Sequence, residues 1–320
     1  MKNLKILLLV AGMQSSLLFA TKGGDTISCN TGCCQKNSYA PAGIMIDHVH
    51  PKGKFGLAYS FMAIGMNGNL SGTHSISNDA IFNNYMMAPS HMQMQMHMLM
   101  PMYGITNKLT AMAMINYSIN KMSMNMAPMG MMMNMPGMTM NNPEANMPTS
   151  CTSSGLADTK LYLLYNFLGA CNHRLVVSAG VSLPTGNINA KGVTMQGSNS
   201  ILAYNMQLGT GTYNLLPGLV YCGQLNRFTI GAAIQANIKM GVNSRNYCWG
   251  NEYSFSPWVA YKLTNWLSAS LRGEVYYQNA MYGYDTDINI SSGNDPSANV
   301  YNYGSRSMLN VLGGLNFSAP

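Results

Sequence analysis

Charged residues are scarce in this sequence. Lys, Arg, Asp and Glu together make up 8% of the 320 residues, about a third of the share near 25% that is usual in soluble domains. Asn, Ser, Thr, Gly, Tyr and Met take the place of charge. The formal net charge of +7 is dispersed along the chain. Without a basic stripe, the sequence gives no sign of a nucleic-acid-binding surface, and we expect no nucleic-acid partner.

Long apolar runs are also missing after Ala20. No later stretch reaches the roughly eighteen consecutive apolar residues that indicate a transmembrane helix. Low charge without such runs is typical of strands that alternate between lipid-facing and lumen-facing side chains. This combination favours a membrane β-barrel. The alternative is a soluble β-sandwich or jelly roll, which would also show short strands and turns.

Catalytic motifs are absent as well. The sequence has no G-x-S-x-G, no H-E-x-x-H, no P-loop and no pair of carboxylates at useful spacing. His74 and His173 are the remaining candidates for a catalytic base, and neither has a recognisable partner. We therefore predict that the protein is not an enzyme.

The amino terminus predicts export. Two lysines precede an apolar run that ends on a small residue at Ala20, as in a secretory signal. We predict a signal peptide over 1–20, a periplasmic N-terminal leader over 21–52 and an outer-membrane β-barrel over 53–320. The expected location is the cell outer membrane, and the expected partners are outer-membrane lipid and the barrel-assembly machinery.

Short turns alternate with long polar segments. Four turns carry an asparagine shortly before the next apolar strand: Asn107, Asn172, Asn226 and Asn265. Asn tolerates the left-handed backbone that tight turns need. The long segments between them cover roughly 67–90, 122–154, 185–205, 241–251 and 279–304. This rhythm is typical of an outer-membrane barrel, with its turns in the periplasm and its loops outside.

Ten strands can be counted, over 53–66, 91–103, 109–121, 155–168, 173–184, 206–222, 227–240, 252–263, 267–278 and 306–317. A further hairpin in 72–90 or 185–210 would make twelve. The predicted fold is all-β: an antiparallel up-and-down transmembrane β-barrel of 10 to 12 strands, with short periplasmic turns and long external loops. Alternation is clearest over 228–240, where we assign the face of Phe228 to lipid and the face of Thr229 to the lumen.

Methionine occupies every second position of one strand. These residues share a face: Met92, Met94, Met96, Met98, Met100 and Met102. A four-residue turn pairs Tyr103 with Lys108, which points this ladder at lipid and puts His97, Met112 and Met114 in the lumen. A five-residue turn points the ladder into the lumen instead, because a slip of one residue exchanges the faces. We favour the first register because it leaves fewer polar groups facing lipid.

The segment from Met122 to Met147 is rich in methionine and interrupted by prolines, which predicts an exposed loop. Thioether sulfur is a soft ligand suited to Cu(I) and, by extension, Ag(I). The closely spaced candidates are Met122, Met124, Met126, Met129, Met131, Met138 and Met140. A low-complexity loop and a sacrificial oxidant trap are the alternatives.

The leader carries a second candidate metal site. Asp47, His48 and His50 follow Cys29, Cys33 and Cys34, and such a set suits Zn or Cu, although the spacing matches no strong zinc signature. The alternative is a disordered leader whose thiols oxidise.

Seven cysteines in an exported chain permit disulfides, and their odd number leaves at least one outside an intramolecular pair. The predicted strand layout suggests two pairs, Cys171–Cys222 and Cys151–Cys248, each of which requires Cα atoms within about 7 Å.

Several motifs resemble the Met-rich branch of a bacterial outer-membrane family named after the phenol-degradation meta pathway. They are His50-Pro-Lys-Gly-Lys-Phe-Gly56, Tyr85-Met-Met-Ala-Pro-Ser-His-Met92, the methionine ladder, Ser182-Leu-Pro-Thr-Gly186, Met206-Gln-Leu-Gly-Thr-Gly-Thr-Tyr213 and Leu215-Leu-Pro-Gly218. The resemblance covers roughly 42–317 and implies a transporter-type barrel. The family label implies passage of small aromatic or hydrophobic compounds, whereas the Met-rich branch is better suited to copper.

Three functions follow as hypotheses. The first is an outer-membrane channel or transporter that handles soft metal ions such as Cu(I) through its Met-rich segments. The second is a channel for small aromatic or hydrophobic compounds, with Met as an adaptable apolar lining. The third is a structural surface barrel without cargo.

Overall fold

The protein is almost entirely β-structure. The computed structural model describes residues 5–6, 13–20, 41, 43–128, 150–170, 172–194, 197–289 and 294–317. Within these residues, helix is confined to α1 (Asn78–Phe82), α2 (Thr286–Asn289) and three 3₁₀ turns, Tyr204–Met206, Pro296–Ala298 and Val300–Asn302. None of the described helices is long and apolar enough to cross a membrane.

Twenty strands are described in chain order. They are β1 (Lys5–Ile6), β2 (Met13–Ala20), β3 (Phe55–Asn67), β4 (Asn69–Ser71), β5 (His74–Ile76), β6 (Met87–Gly104), β7 (Leu109–Met126), β8 (Ser150–Leu156), β9 (Thr159–Ala170), β10 (His173–Leu183), β11 (Lys191–Thr194), β12 (Gly197–Ile201), β13 (Tyr213–Leu215), β14 (Gly218–Leu225), β15 (Phe228–Met240), β16 (Tyr247–Cys248), β17 (Glu252–Lys262), β18 (Leu267–Gln278), β19 (Tyr282–Gly283) and β20 (Arg306–Phe317).

The main sheet follows chain order, as the up-and-down prediction requires. From β3 to β20 its neighbours pair antiparallel, in the order β3-β6-β7-β9-β10-β13-β15-β17-β18-β20. β8 continues the line of β9 along β7, and β14 continues the line of β13 between β10 and β15. Ten lines therefore form the wall, which confirms the predicted all-β antiparallel barrel.

The remaining short strands lie outside this wall. β4 with β5 and β11 with β12 form two hairpins, and β16 with β19, which are separated by β17 and β18 in the chain, form a third two-stranded sheet. The segments that the sequence left open as an eleventh and twelfth strand, 72–90 and 185–210, thus supply small loop hairpins. Two more strands, β1 and β2, lie at the ends of the main sheet. β2 pairs antiparallel with β3, and β1 pairs parallel with β20. The signal-peptide assignment of these residues stays a prediction.

Two of the periplasmic-type turns are closed by threonine. Thr106 Oγ1 accepts the amide of Leu109 at 3.0 Å, and Thr264 Oγ1 accepts that of Leu267 at 3.0 Å. The expected left-handed asparagine occurs at Asn226, with φ 53°, whereas the other three turn asparagines are not among the described non-glycine residues with positive φ. The Thr-Asn turns therefore owe their shape to the hydroxyl two to three residues upstream of the closing amides.

Side chains alternate between the two faces as predicted. On β15, Phe228 and Ile234 are exposed on the outside, whereas Thr229, Ala233 and Lys239 are buried inside. Aromatic pairs lie at the turn end of the outer face, including Phe228 with Tyr261 and Trp266 with Phe317. Their position matches the interfacial girdle of membrane barrels.

Glycine leaves room for aromatic rings in the lumen. A Cβ at Gly231 would lie 2.2 Å from the Trp258 ring, and one at Gly180 would lie 2.4 Å from the Tyr162 ring. Each glycine is the direct cross-strand partner of that aromatic residue. Each ring therefore lies directly over its glycine, and a side chain at either position would displace that ring.

Candidate functional site

The methionine ladder faces the lumen, so the favoured register is wrong. Tyr103 pairs with Ala111, and Met102 pairs with Met112. Met98, Met100 and Met102 are buried on the inside. On the opposite face, the exposed outward residues are Leu99, Tyr103, Ile115 and Tyr117. Met112 and Met114 are buried and lumenal, in agreement with the prediction.

The face predicted for His97 is wrong for the same reason. It was predicted in the lumen, but it lies on the outer face with Tyr59 and Phe61. The Tyr59 hydroxyl and His97 Nδ1 are 2.7 Å apart, and the Phe61 and His97 ring centres are 5.0 Å apart. The hydrogen bond with Tyr59 satisfies the His97 imidazole on the outer face. The choice of register counted the polar residues on each face and did not consider that such a partner could be present.

The interior is not simply polar, because part of the predicted leader fills it. Ile44 and Ile46 are buried against inward residues of the barrel wall, including Met100, Met112 and Trp258. The His50 amide donates to Thr110 Oγ1 at 2.8 Å. We call residues 43–50 the plug segment. It supplies the apolar partner that makes an inward methionine face favourable.

Asp47 attaches the plug segment to the wall. Its carboxylate lies 2.7 Å from His48 Nδ1 and 3.6 Å from the Arg174 guanidinium. Burial alone raises the pKa of Asp47, but the charge and hydrogen bond of His48 and the charge of Arg174 leave that pKa below its usual value. The Asp47 charge raises the pKa of His48, and burial lowers that of His50.

The Asp47, His48 and His50 set does not form a three-ligand metal site. His48 and His50 rings approach to 5.3 Å between centres. However, among the described residues no group of three or more His, Cys, Asp or Glu side chains comes together to hold a metal. Asp47 instead pairs with Arg174, so its charge is used to hold the plug segment.

The opposite wall is polar and charged. Lys239 Nζ donates to Glu252 Oε1 at 3.0 Å, and the Lys239 side chain is only 1% exposed. Asn310 donates to Glu274 Oε2 at 3.0 Å. The two glutamates border a cavity of about 230 Å³, whose lining also includes Tyr276. Tyr276 therefore faces this chamber.

Three loops are joined to one another by charged and polar side chains. Arg245 pairs with both oxygens of Asp285, reaches Asp287 at 2.7 Å and reaches Asn189 at 3.0 Å. One guanidinium thus ties three loops together. Burial raises the pKa of Tyr247 in the apolar cluster beneath.

Asp158 organises two of the motifs that carried the family resemblance. Its carboxylate accepts from the Gly186 amide at 3.0 Å, the Thr210 amide at 2.8 Å and Thr210 Oγ1 at 2.7 Å. A Cβ at Gly186 would lie 2.6 Å from the Gly209 Cα. Sequence reasoning missed this residue. The available signal was an acidic residue between two strands in a chain with only ten Asp and Glu.

Sulfur side chains gather at the outer end of the ladder. Cross-strand partners run from Met66 on β3 to Met92 on β6, Met122 on β7 and Cys151 on β8. Asn205 Nδ2 lies 3.4 Å from Met122 Sδ and 3.9 Å from Met92 Sδ. Met122 and Cys151 border a cavity of about 40 Å³, which Asp295 also lines. We call Met66, Met92, Met122 and Cys151 the sulfur row.

The predicted methionine loop begins later than expected. β7 continues to Met126, so Met122, Met124 and Met126 lie on a strand, where Met122 is 1% exposed. The strand continues because these residues keep alternating and pair with β6 as far as Met87. Met129, Met131, Met138 and Met140 lie outside the described residues.

The Cys151–Cys248 disulfide is not formed. Both residues are free thiols in the structure. Cys151 lies in the sulfur row, while Cys248 donates to the Trp249 carbonyl at 3.3 Å on another loop. The partner predicted for Cys222 is Cys171, which lies outside the described residues. Cys222 itself is buried on β14 opposite Arg174.

Comparisons with known proteins address the fold and the family. The sequence model of the family described as "Putative MetA-pathway of phenol degradation" matches residues 96–319. A solved outer membrane channel from Pseudomonas putida F1 is similar in structure, with a TM-score of 0.51 at 14% identity. The match covers 77% of this chain and 79% of that chain. No curated protein matches this chain.

Proposed function

The chain belongs to the family described as "Putative MetA-pathway of phenol degradation", and on that premise we propose that it is a non-enzymatic outer-membrane channel for small solutes. We propose in addition that it handles soft metal ions such as Cu(I) along the methionine wall, by which we mean the inward-facing methionines of β3, β6 and β7. The outward apolar face would contact outer-membrane lipid after insertion by the barrel-assembly machinery. The similar solved structure, described as an outer membrane channel, supports the channel part of this proposal.

The inward direction of the ladder carries the metal part of the proposal. Had the ladder faced lipid, its thioethers would serve only as apolar surface. On the inside, Met92, Met94 and Met96 are partly exposed to the interior and lie beyond the segment that Ile44 and Ile46 cover. Met62 and Met66 extend the same face across β3. Soft thioether ligands in succession favour Cu(I) over hard cations.

A channel for small aromatic or hydrophobic compounds is the second candidate. One observation favours it: the chamber of about 230 Å³ combines the rings of Tyr162 and Tyr276 with polar groups. Ligand sites commonly pair apolar or aromatic lining with a few oriented polar groups. The family description, which mentions phenol degradation, points to the same class of compound.

Flux through reconstituted protein separates these functions. Proteoliposomes that contain an internal Cu(I) chelator would be tested for entry of Cu(I), K⁺ and phenol. We expect replacement of Met92, Met94 and Met96 by Leu to reduce Cu(I) entry and leave K⁺ entry unchanged. Met240→Leu is the matched control, because Met240 is exposed on the outer face.

Two results would count against the metal part of the proposal. Equal Cu(I) entry in the triple variant and the wild type would remove the methionine wall from the mechanism. Phenol entry without Cu(I) entry would favour the second candidate. No entry of any solute above empty liposomes would contradict a channel function.

A further inference from the structure

The sulfur row has the geometry of a discrete ligand set. Its members are direct cross-strand neighbours on one face, so each lies about 5 Å from the next at the backbone. Met92 and Met122 sulfurs both lie within 4 Å of one atom, Asn205 Nδ2. Cys151 is the direct partner of Met122 and packs in the same cluster with Met206. Two thioether side chains and a thiol side chain thus lie side by side on three neighbouring strands.

Two further polar groups lie beside the row, one with an oxygen that has no hydrogen-bond partner and one with a carboxylate that has no cationic partner among the described residues. Asn205 Oδ1 is buried without a hydrogen-bond partner, while the nitrogen end of the same amide points at the sulfurs. Asp295 is 7% exposed and accepts hydrogen bonds from Ser297. No ion pair within the described part of the chain includes it. A bound cation would offset the Asp295 charge.

The size of the adjacent cavity selects the occupant. Its volume of about 40 Å³ is near that of one or two waters and too small for an aromatic ring. The sulfur atoms of Met122 and Cys151 on its border suit a soft cation better than a hard one, and Asp295 would supply negative charge beside that cation.

Resting on the function proposed above, we infer that Met92, Met122 and Cys151 form a binding site for a single soft monovalent cation, Cu(I) or Ag(I), at the outer end of the methionine wall. Met66 provides a neighbouring thioether from which an ion would pass to the row. On binding, the Cys151 thiol gives its proton to solvent and the thiolate binds the cation, so one proton is released per ion and no electron is transferred.

Protection of Cys151 from alkylation by Ag(I) tests the site. The full chain is used in a background in which every cysteine except Cys151 is changed to Ser, so that Cys29, Cys33 and Cys34 do not compete. We expect stoichiometric Ag(I) to protect Cys151 from a maleimide. Met122→Leu should weaken that protection by about 10- to 100-fold, the loss usual when a metal site loses a supporting group. Met112→Leu, on the same face of the same strand, should leave it unchanged.

A displaced thiol gives the sharper control. In a Cys151→Ser variant, Ser153→Cys places the only thiol two residues along the same inward face, where its direct partner is Asn120 instead of Met122. We expect this thiol to bind Ag(I) more weakly than Cys151 does. Asp295→Asn should weaken Ag(I) binding at Cys151 several-fold. Heat-dependent migration on a gel checks that each variant is a folded barrel.

The outcomes separate the site from the channel function. Equal Ag(I) affinity for Cys151, for the Met122→Leu variant and for the displaced thiol would overturn the site, even if Cu(I) still enters proteoliposomes. Binding at Cys151 that depends on Met122, in a protein that admits no Cu(I), would support the site and contradict the channel proposal.

Discussion

The two walls of the barrel interior differ in chemistry. The wall built from β3, β6 and β7 presents methionine, whereas the wall built from β15, β17 and β18 presents Lys239, Glu252 and Glu274. The first wall gains stability by packing against the plug segment, and the second by hydrogen bonds and an ion pair. A solute in the lumen would meet polarizable sulfur on one side and fixed charge on the other. A single lumen can therefore present soft thioether groups on one wall and charged groups on the other.

Removing the plug segment should have the largest effect. Replacing 43–50 by a Gly-Ser linker of equal length takes Ile44 and Ile46 out of the methionine-lined core, at a cost of roughly 1.5–3 kcal/mol for each side chain. We expect single-channel conductance in planar bilayers to rise several-fold. Unchanged conductance would show that the plug segment does not limit passage. A variant with Asp79→Asn in helix α1, which lies outside the plug segment, serves as the control.

Breaking the ion pair of the charged wall should have the next largest effect. Glu252→Gln leaves the Lys239 ammonium, which is 1% exposed, without its carboxylate. The loss of one partner of a buried pair costs about 3–5 kcal/mol. We expect a lower melting temperature and a reversal potential shifted toward anion selectivity. The double variant Lys239→Met with Glu252→Gln should recover stability, and failure to recover would indicate that the pair is not the cause.

The plug segment should release as pH rises through the raised pKa of His48. The Asp47 charge raises the pKa of His48, so the stability from this contact is complete below about pH 6.5 and is lost as pH rises through the folded pKa. Asp47 acts in the opposite direction. Its pKa is lowered, so its contribution to the docking of the plug segment is present above pH 3.8 and is lost as pH falls through the pKa in the folded protein. Burial lowers the pKa of His50, which opposes docking below about 6.5.

Conductance against pH measures this release. We expect an increase on the alkaline side in the wild type, and its disappearance in His48→Ala, in which only the Arg174 contact with Asp47 remains. His74→Ala is the matched control, since His74 lies in a small hairpin outside the main sheet. The same alkaline increase in His48→Ala would contradict the role given to this residue.

The turn threonines should have the smallest effect. Thr106→Ala and Thr264→Ala each remove a hydroxyl that accepts backbone amides, which costs about 1 kcal/mol. Urea unfolding in lipid vesicles measures it. Thr→Ser at the same positions keeps the hydroxyl and should be nearly neutral. If Thr→Ser lost as much unfolding free energy as Thr→Ala, the methyl group and not the hydroxyl would be responsible for the effect.

The strand pattern was predictable because apolar and polar residues alternate along each strand, and this alternation can be read from a few neighbouring positions. All ten wall lines fall where short turns and alternating residues placed them, with bounds that shift by up to several residues. β6 and β7 extend beyond their predicted ends because Met87 and Met126 still pair across the hairpin. The loop hairpins were left open, since three- to five-residue strands carry too little periodicity to assign.

The candidate site was only partly predictable. The sequence identified Met112, Met114 and Met122 as candidates. The residues that lie beside Met122 in the candidate site come from distant parts of the chain. Cys151 lies 29 positions after Met122 and Asn205 lies 83 positions after it, and no spacing rule joins them. Asp158 was missed because its three hydrogen bonds reach two distant glycine-containing loops.

By itself the sequence determined that the chain forms an antiparallel barrel, because alternation, low charge and turn residues act over a few neighbours. Tertiary structure decided which face of the methionine ladder points inward. The two registers differ by one residue and exchange every side chain between the two sides. The choice depends on what occupies the lumen, and the plug segment, 43–50, supplies an apolar surface there. That partner lies some fifty residues from the ladder, beyond the reach of local patterning.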